Sequence, residues 1–254
     1  MPRNWTAHEL LIAMNVYCKL PFGKLSQSDP LIIRVAAKMG RTPSSVSMKL
    51  CNFASFDSTL QARGIRGLTG ASRADRVMWD AFHADWNQMS DDSEAAFEEL
   101  IGNEDVEAAA SPPISPPQGP SEGKSMVTVR RHQRFFRNTV LASYEHRCAL
   151  SRIAITQLLN ASHIIPWKDN EARRTDPTNG LCLHVLYDRA FDRGLITFDE
   201  DNRLVVSPLL KSGHVPDLQR MNFAGQEGTA LHLPHRFTPD PSAMAKHRNS
   251  IFKG

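Results

Sequence analysis

The chain has 254 residues, 41% of them hydrophobic, enough for two folding units each with its own core. No segment reaches the roughly twenty apolar residues that cross a bilayer, and the start MPRNWTAHE lacks a signal-peptide pattern. Cys18, Cys51, Cys148 and Cys182 show no paired spacing and read as reduced thiols, so the expected location is cytoplasmic. A P-loop and a dinucleotide-binding glycine pattern are both missing from the sequence, which excludes those classes of enzyme. The net charge of +3 hides an uneven distribution: +5 over residues 1–90, −9 over 91–123 and +7 over 124–254, or two basic modules around an acidic connector.

Helical periodicity opens the chain. AHELLIAMNVYCKL places Leu10, Leu11, Met14 and Tyr17 on one side, with Thr6 as N-cap and Glu9 completing a capping box. PLIIRVAAKMG predicts a second helix, led by Asp29-Pro30 and stopped at Gly40. The segment from Arg41 predicts a third, with Thr42 as cap and Pro43 in the first turn. Helix, short turn, helix resembles a helix-turn-helix DNA reader, in which Arg41 and Ser44 would contact phosphates and Ser45, Lys49 and Asn52 would face base edges. A plain three-helix bundle is the competing reading. Arg63, Arg66, Arg73 and Arg76 add a basic surface, and residues 71–89 predict one further helix with Val77, Met78, Phe82 and Trp86 as its apolar face.

The acidic run DDSEAAFEELIGNEDVE is expected to hold a short helix with a solvated face, or alternatively to mimic nucleic acid and shield a basic surface. SPPISPPQGPSEG has almost nothing to bury, so residues 103–125 read as a flexible linker. The division expected is a helical, DNA-binding domain at 1–102, the linker at 103–125 and a second domain at 126–254.

In that second domain, LLNASHII closed by Pro166 predicts a strand carrying His163. KDNEARRTDPTNG is turn-rich, LCL reads as a second strand, and from Tyr187 the pattern turns helical, with Ala190, Phe191 and Leu195 on one side and Gly194 as stop. Strand, loop, strand, helix is a compact unit whose polar residues could converge. A histidine near neutral pKa can take a proton from water while a divalent cation polarises a phosphodiester, and Asn179 could fix the loop or orient the imidazole. Each has a bland counterpart: a satisfied core histidine, a turn asparagine beside Gly180, and for Asp188 a carboxylate favoured by a helix N-terminus. Arg173, Arg174 and Arg189 are phosphate contacts or solvated charge; Asp192 and Arg193 read as a local pair. Downstream, LITF and NRLVVS predict a hairpin and the tail a closing helix, from which His247 and Arg248 would reach the substrate backbone; His235 reads as a surface residue.

HIIPW, NGLCL and AFDRGLI stand in order between residues 147 and 207, and this segment resembles the HNH endonuclease family, in the branch carrying HIxPW, NGLxL and AFDRGLI and associated with restriction. PFGKL, GRTPSSVSMKLCNFAS and RGIRGLTGAS resemble the N-terminal region attached to nucleases of this branch, and LPHRFTPDP and HRNSIF its closing segment. The resemblance implies an α+β protein with a C-terminal ββα-metal (HNH) domain, with His163 as general base, Asn179 as organiser and Asp188 as ligand of Mg²⁺ or Mn²⁺, metals that prefer oxygen. Asn160, two residues before Ser162 on the same strand face, is a second metal candidate. The zinc-knuckle positions fall on Cys148, Ser151, His184 and Tyr187, a poor ligand set that argues against structural zinc. Where relatives read LHDRAFDRG this chain has Tyr187. The reading is a metal-dependent endonuclease acting on DNA in restriction or anti-phage defence, for which a homodimer would suit double-strand cleavage. The alternative is an HNH-fold DNA-binding regulator without catalysis.

Overall fold

The computed structural model describes residues 3–65, 68, 70–102 and 123–254, so the linker expected at 103–125 falls outside it but for the start of one helix, as does Arg66. Local signals set most of the helix starts. Helix α1 (Ala7–Lys19) begins at the full Thr6/Glu9 capping box; α2 (Pro30–Met39) is capped by the Asp29 carboxylate and ends at Gly40, whose φ of 64° suits a residue without Cβ; α3 (Pro43–Ala54) is capped by Thr42. A short α4 (Ser58–Ala62) follows.

The single helix expected over residues 71–89 is two. Chain direction changes at Asp85, whose φ of −148° ends α5 (Arg73–Ala84) and whose side chain accepts the Gln88 N–H at 3.0 Å to start α6 (Trp86–Ile101). A capping carboxylate outcompetes helix continuation there. Residues 91–101 of the acidic run therefore belong to a four-turn helix, on which Asp92 and Glu99 are exposed as expected while Asp91, Glu94 and Glu98 turn inward to cations; residues 103–107 of the run lie outside the described ones. Glu94 is fully buried against Lys19 at 2.8 Å and Arg134 at 2.7 Å, Glu98 meets Arg131 at 2.9 Å and also Arg134, and Asp91 meets Arg131 at 3.4 Å.

Arg131 and Arg134 lie on α7 (Gly123–Ser143), which the sequence reading did not foresee. Phe135 joins the core of the first six helices, among Tyr17, Phe53, Phe82 and Trp86, while its neighbour Phe136 joins a second core with Leu159, Leu181, Phe191 and Phe198. One helix thus serves two cores. Arg236 and Phe237 also return to the first: the Arg236 guanidinium lies 4.3 Å from the Tyr17 ring centroid and donates to the Leu20 carbonyl.

Against α7 lies an antiparallel hairpin, β1 (Leu159–His163) with β2 (Gly180–His184), in the register Leu159↔His184 to His163↔Gly180. Its other face carries α8 (Val185–Asp192). A second hairpin, β3 (Ile196–Phe198) with β4 (Leu204–Val206), then α9 (Asp217–Asn222) and α10 (Pro241–Ser250) complete the chain. The hairpin and closing helix stand where the sequence put them. Among the described residues no helix is long and apolar enough to cross a membrane.

Candidate functional site

Side chains alternate along β1, so Asn160 and Ser162 face α8 while His163 faces α7. The His163 ring stacks on Phe136, centroids 3.8 Å apart and planes 13° apart, with Trp167 edge-on at 5.5 Å. Its Nε2 lies 2.9 Å from the Arg174 carbonyl oxygen. A carbonyl can only accept, so Nε2 carries the proton and a neutral ring keeps Nδ1 as a free lone pair. Burial pushes the His163 pKa down, outweighing the Arg174 carbonyl and the charge of Asp188, which raise it. The imidazole is therefore neutral near pH 7 and can accept a proton.

Asn179 is 1% exposed and spends its amide on backbone. Oδ1 accepts the Ile165 N–H at 2.8 Å, and Nδ2 donates to the carbonyls of Ile165 at 3.1 Å and Arg173 at 3.2 Å. Of the two roles open to it from sequence, loop closure is the one the geometry displays. It fixes the peptide next to the carbonyl that holds His163.

Asp188, in the first turn of α8, accepts from Asn160 Nδ2 at 2.7 Å and from the Ser162 hydroxyl at 2.5 Å. Each carboxylate oxygen keeps a lone pair after these bonds. One turn on, Asp192 is open to solvent on its outer side, yet its pKa is raised to about 6, first by the packing of its inner side and then by the charge of Asp188. Sequence reading set Asp192 aside, although the four-residue spacing that puts two carboxylates on one helix face was visible. Asp188 and the Ser162 hydroxyl offer oxygen, the donor type suited to a hard divalent cation, while among the described residues no group of three or more His, Cys, Asp or Glu side chains is gathered to hold a metal ion.

The side chains at the knuckle positions make contacts within the fold. Cys148 Sγ accepts the Ser151 N–H at 3.4 Å, His184 caps α8 by accepting the Leu186 N–H at 3.2 Å, and Tyr187 is buried with its ring 4.3 Å from His184 and 6.0 Å from Phe223. Tyr187 faces the core, while Asp188 beside it faces β1.

The expected nucleic-acid contacts fare unevenly. Lys49 and Asn52 do not face outward: they converge on the buried Asp75 at 2.6 and 3.1 Å, because that carboxylate, fixed as the third residue of the Ser72 capping box, needs neutralising. Arg41 is drawn in too, bonded to Glu9 at 2.8 Å and to the carbonyls of Arg3 and Asn4, over the Trp5 ring at 4.0 Å. Ser44 is exposed and Ser45 half-buried. Arg173 is tied to Asp240 at 2.6 Å, Asp176 at 3.0 Å and Thr178 at 3.0 Å; Arg174 bonds Glu171 at 2.9 Å and the Trp167 carbonyl at 3.1 Å. Arg189 stands exposed on α8. His247 is buried on Phe191, rings 3.7 Å apart, with its nitrogens on Thr197 and the Phe191 carbonyl, and Arg248 donates to the Phe198 and Asp199 carbonyls; neither side chain is directed outward to a substrate.

Phe136 and the Arg174 carbonyl, the two groups that set the His163 ring, had no sequence signal of their own. No curated protein matches the chain. Residues 148–199 match the model of a family described as HNH endonuclease, and that segment contains His163, Arg174, Asn179 and the oxygen donors around Asp188.

Proposed function

We propose that the chain is a metal-dependent endonuclease that hydrolyses DNA phosphodiester bonds, with His163 as general base. The observation that carries this reading is the bond from His163 Nε2 to the Arg174 carbonyl, which leaves Nδ1 unprotonated in a ring that burial holds neutral. Water gives a proton to Nδ1 as its oxygen forms a bond to phosphorus, and the opposite P–O ester bond breaks. Asn179 keeps the loop, and so the carbonyl, in place. Asp188, with Asp192, Ser162 and Asn160, would hold Mg²⁺ or Mn²⁺, which supplies charge stabilisation at the phosphate and the leaving oxygen. Exposed Ser44 and Arg189 remain open to phosphates, and half-buried Ser45 follows Ser44 on α3. The resemblance of its three motifs to the restriction-associated branch supports a role in restriction or anti-phage defence.

A DNA-binding regulator without catalysis is favoured by one observation: both Asp188 oxygens already accept a bond from a neutral side chain. Supercoiled plasmid, unmodified and methylated, incubated with Mg²⁺, Mn²⁺ or Ni²⁺ separates the two. Cutting by the wild type, reduced about 10²- to 10⁴-fold in His163→Ala, is expected. DNA binding with no cutting under any metal would sink the enzyme reading.

A further inference from the structure

The carbonyl that orients His163 sits in the loop between β1 and β2, and that loop is held from outside the hairpin. Asn87, in the first turn of α6, donates from Nδ2 to the Glu171 carbonyl at 2.7 Å and accepts at Oδ1 from the Thr175 hydroxyl, itself fully buried, at 2.8 Å. The Glu171 carbonyl cannot donate, so the orientation of the amide is fixed, and it leaves Oδ1 facing Thr175. These two partners bracket Arg174. The Glu171 oxygen also accepts the Arg174 N–H at 3.2 Å, closing the turn that leads into Arg174, and Thr175 shares the peptide unit that carries the Arg174 oxygen. On the preceding peptide, the Arg173 oxygen accepts from Asn179. Arg174 is thus pinned on one side by Asn179 and on the other by Asn87.

The backbone of Asn87 is fixed in turn. Its carbonyl accepts from His132 Nε2 at 3.0 Å and from the Ser90 hydroxyl at 2.9 Å, and His132 lies one turn before Phe136 on α7. The two surfaces that hold the imidazole, the Phe136 ring and the Arg174 carbonyl, are therefore tied to a single residue of the N-terminal helices.

We infer that Asn87 is a positioning residue for the general base: through Glu171 and Thr175 it sets the Arg174 carbonyl, and with it the tautomer and plane of His163. The inference rests on His163 being that base for its catalytic consequence, but its effect on the ring stands apart from any activity. With the side chain of Asn87 shortened to alanine, the Glu171 and Thr175 groups lose their partner, the carbonyl is free to turn, and Nδ1 competes with Nε2 for the proton. The His132 bond survives, since it uses backbone.

Two readouts on the full chain test this. In protein labelled with ¹⁵N-histidine, the ring nitrogen shifts of His163, assigned by their loss in His163→Ala, report the tautomer directly. Wild type should show the Nε2–H form alone, and Asn87→Ala a mixture. Thr175→Val should reproduce that mixture, Thr175→Ser should restore the wild-type pattern, and Asn87→Ala with Thr175→Val should be no worse than either alone. Plasmid cutting at saturating DNA should fall about ten- to a hundredfold in Asn87→Ala, with a smaller change in KM. An unaltered His163 spectrum in a folded Asn87→Ala protein would overturn the inference. A wild type that cuts nothing while the tautomer responds as described would overturn the nuclease reading and uphold the positioning role.

Discussion

Gly180 is the first residue of β2, directly across from His163, and α7 packs on it with no room for a side chain. Its φ of −128° is ordinary extended backbone, so Gly180→Ala carries no conformational penalty and its cost is steric alone. The added Cβ would stand 2.9 and 3.2 Å from two Phe136 ring carbons and nearer still to Val140 Cγ2. Carbon pairs settle at about 3.5–4.0 Å, so the contacts must open by several tenths of an ångström at Phe136 and by more at Val140. Both side chains are nearly fully buried and neither is the free end of a flexible chain, which puts the cost at about 1–3 kcal/mol, or roughly 2–4 °C of Tm for each kcal/mol.

The displaced ring is the one stacked on His163 at 3.8 Å, so the same substitution should disturb the base. Water reaching the loosened imidazole would relieve the burial that lowers its pKa, moving it up towards the ordinary histidine value. Urea unfolding and a ¹⁵N-histidine titration of Gly180→Ala measure the two effects. Val140→Ala supplies the control, because removing the nearest methyl makes room for the new one, and the double variant should be more stable than the sum of the singles by about 0.5–3 kcal/mol. Strict additivity, or a Gly180→Ala protein within about 0.5 kcal/mol of wild type, would refute the steric argument.

The remaining expectations concern buried charge. Burial lowers the His247 pKa to about 4, against the bond to the Phe191 carbonyl, while the unfolded chain titrates near 6.5. As pH falls from 6.5 to 4 only the unfolded chain takes up that proton, which costs the fold about 3 kcal/mol. His247→Gln should lose correspondingly less stability over this window than wild type; parallel stability curves would show that His247 is not the group responsible. Glu94→Gln strips Lys19 and Arg134 of their shared buried carboxylate oxygens and should cost about 3–5 kcal/mol in urea unfolding. A loss under about 1 kcal/mol would mean that water already reaches this cluster.

What was legible in the sequence was local. Thr6 with Glu9, Asp29 with Pro30 and Thr42 with Pro43 announce helix starts because cap and helix lie within four residues of each other, and LNASH before Pro166 announces a strand for the same reason. The inward turn of Lys49 and Asn52 depends on Asp75, more than twenty residues on, and no spacing rule reaches that far. Helix α7 escaped notice because it feeds two cores: adjacent Phe135 and Phe136 point about 100° apart, so its apolar residues do not collect into one stripe. His163, Asn179 and Asp188 are singled out by motif. The groups around His163, namely Phe136 and the Arg174 carbonyl with Asn87 behind it, are contacts of the folded chain and have no motif.

The acidic stretch of α6 gains a meaning from this arrangement that its composition does not carry. Ion pairs as buried as Lys19–Glu94–Arg134 contribute little net stability, since desolvation offsets most of the attraction, but breaking them is costly. Sliding α7 along α6 by one turn, about 5.4 Å, would break the Arg134–Glu94 pair and the bonds of Arg131 to Asp91 and Glu98. The ladder of Arg131 and Arg134 against Asp91, Glu94 and Glu98 holds α7 in its observed register. Register is what the site needs, because His132 meets Asn87 and Phe136 meets His163 only when α7 is in that position. Charges between α6 and α7 thus help set where the imidazole lies.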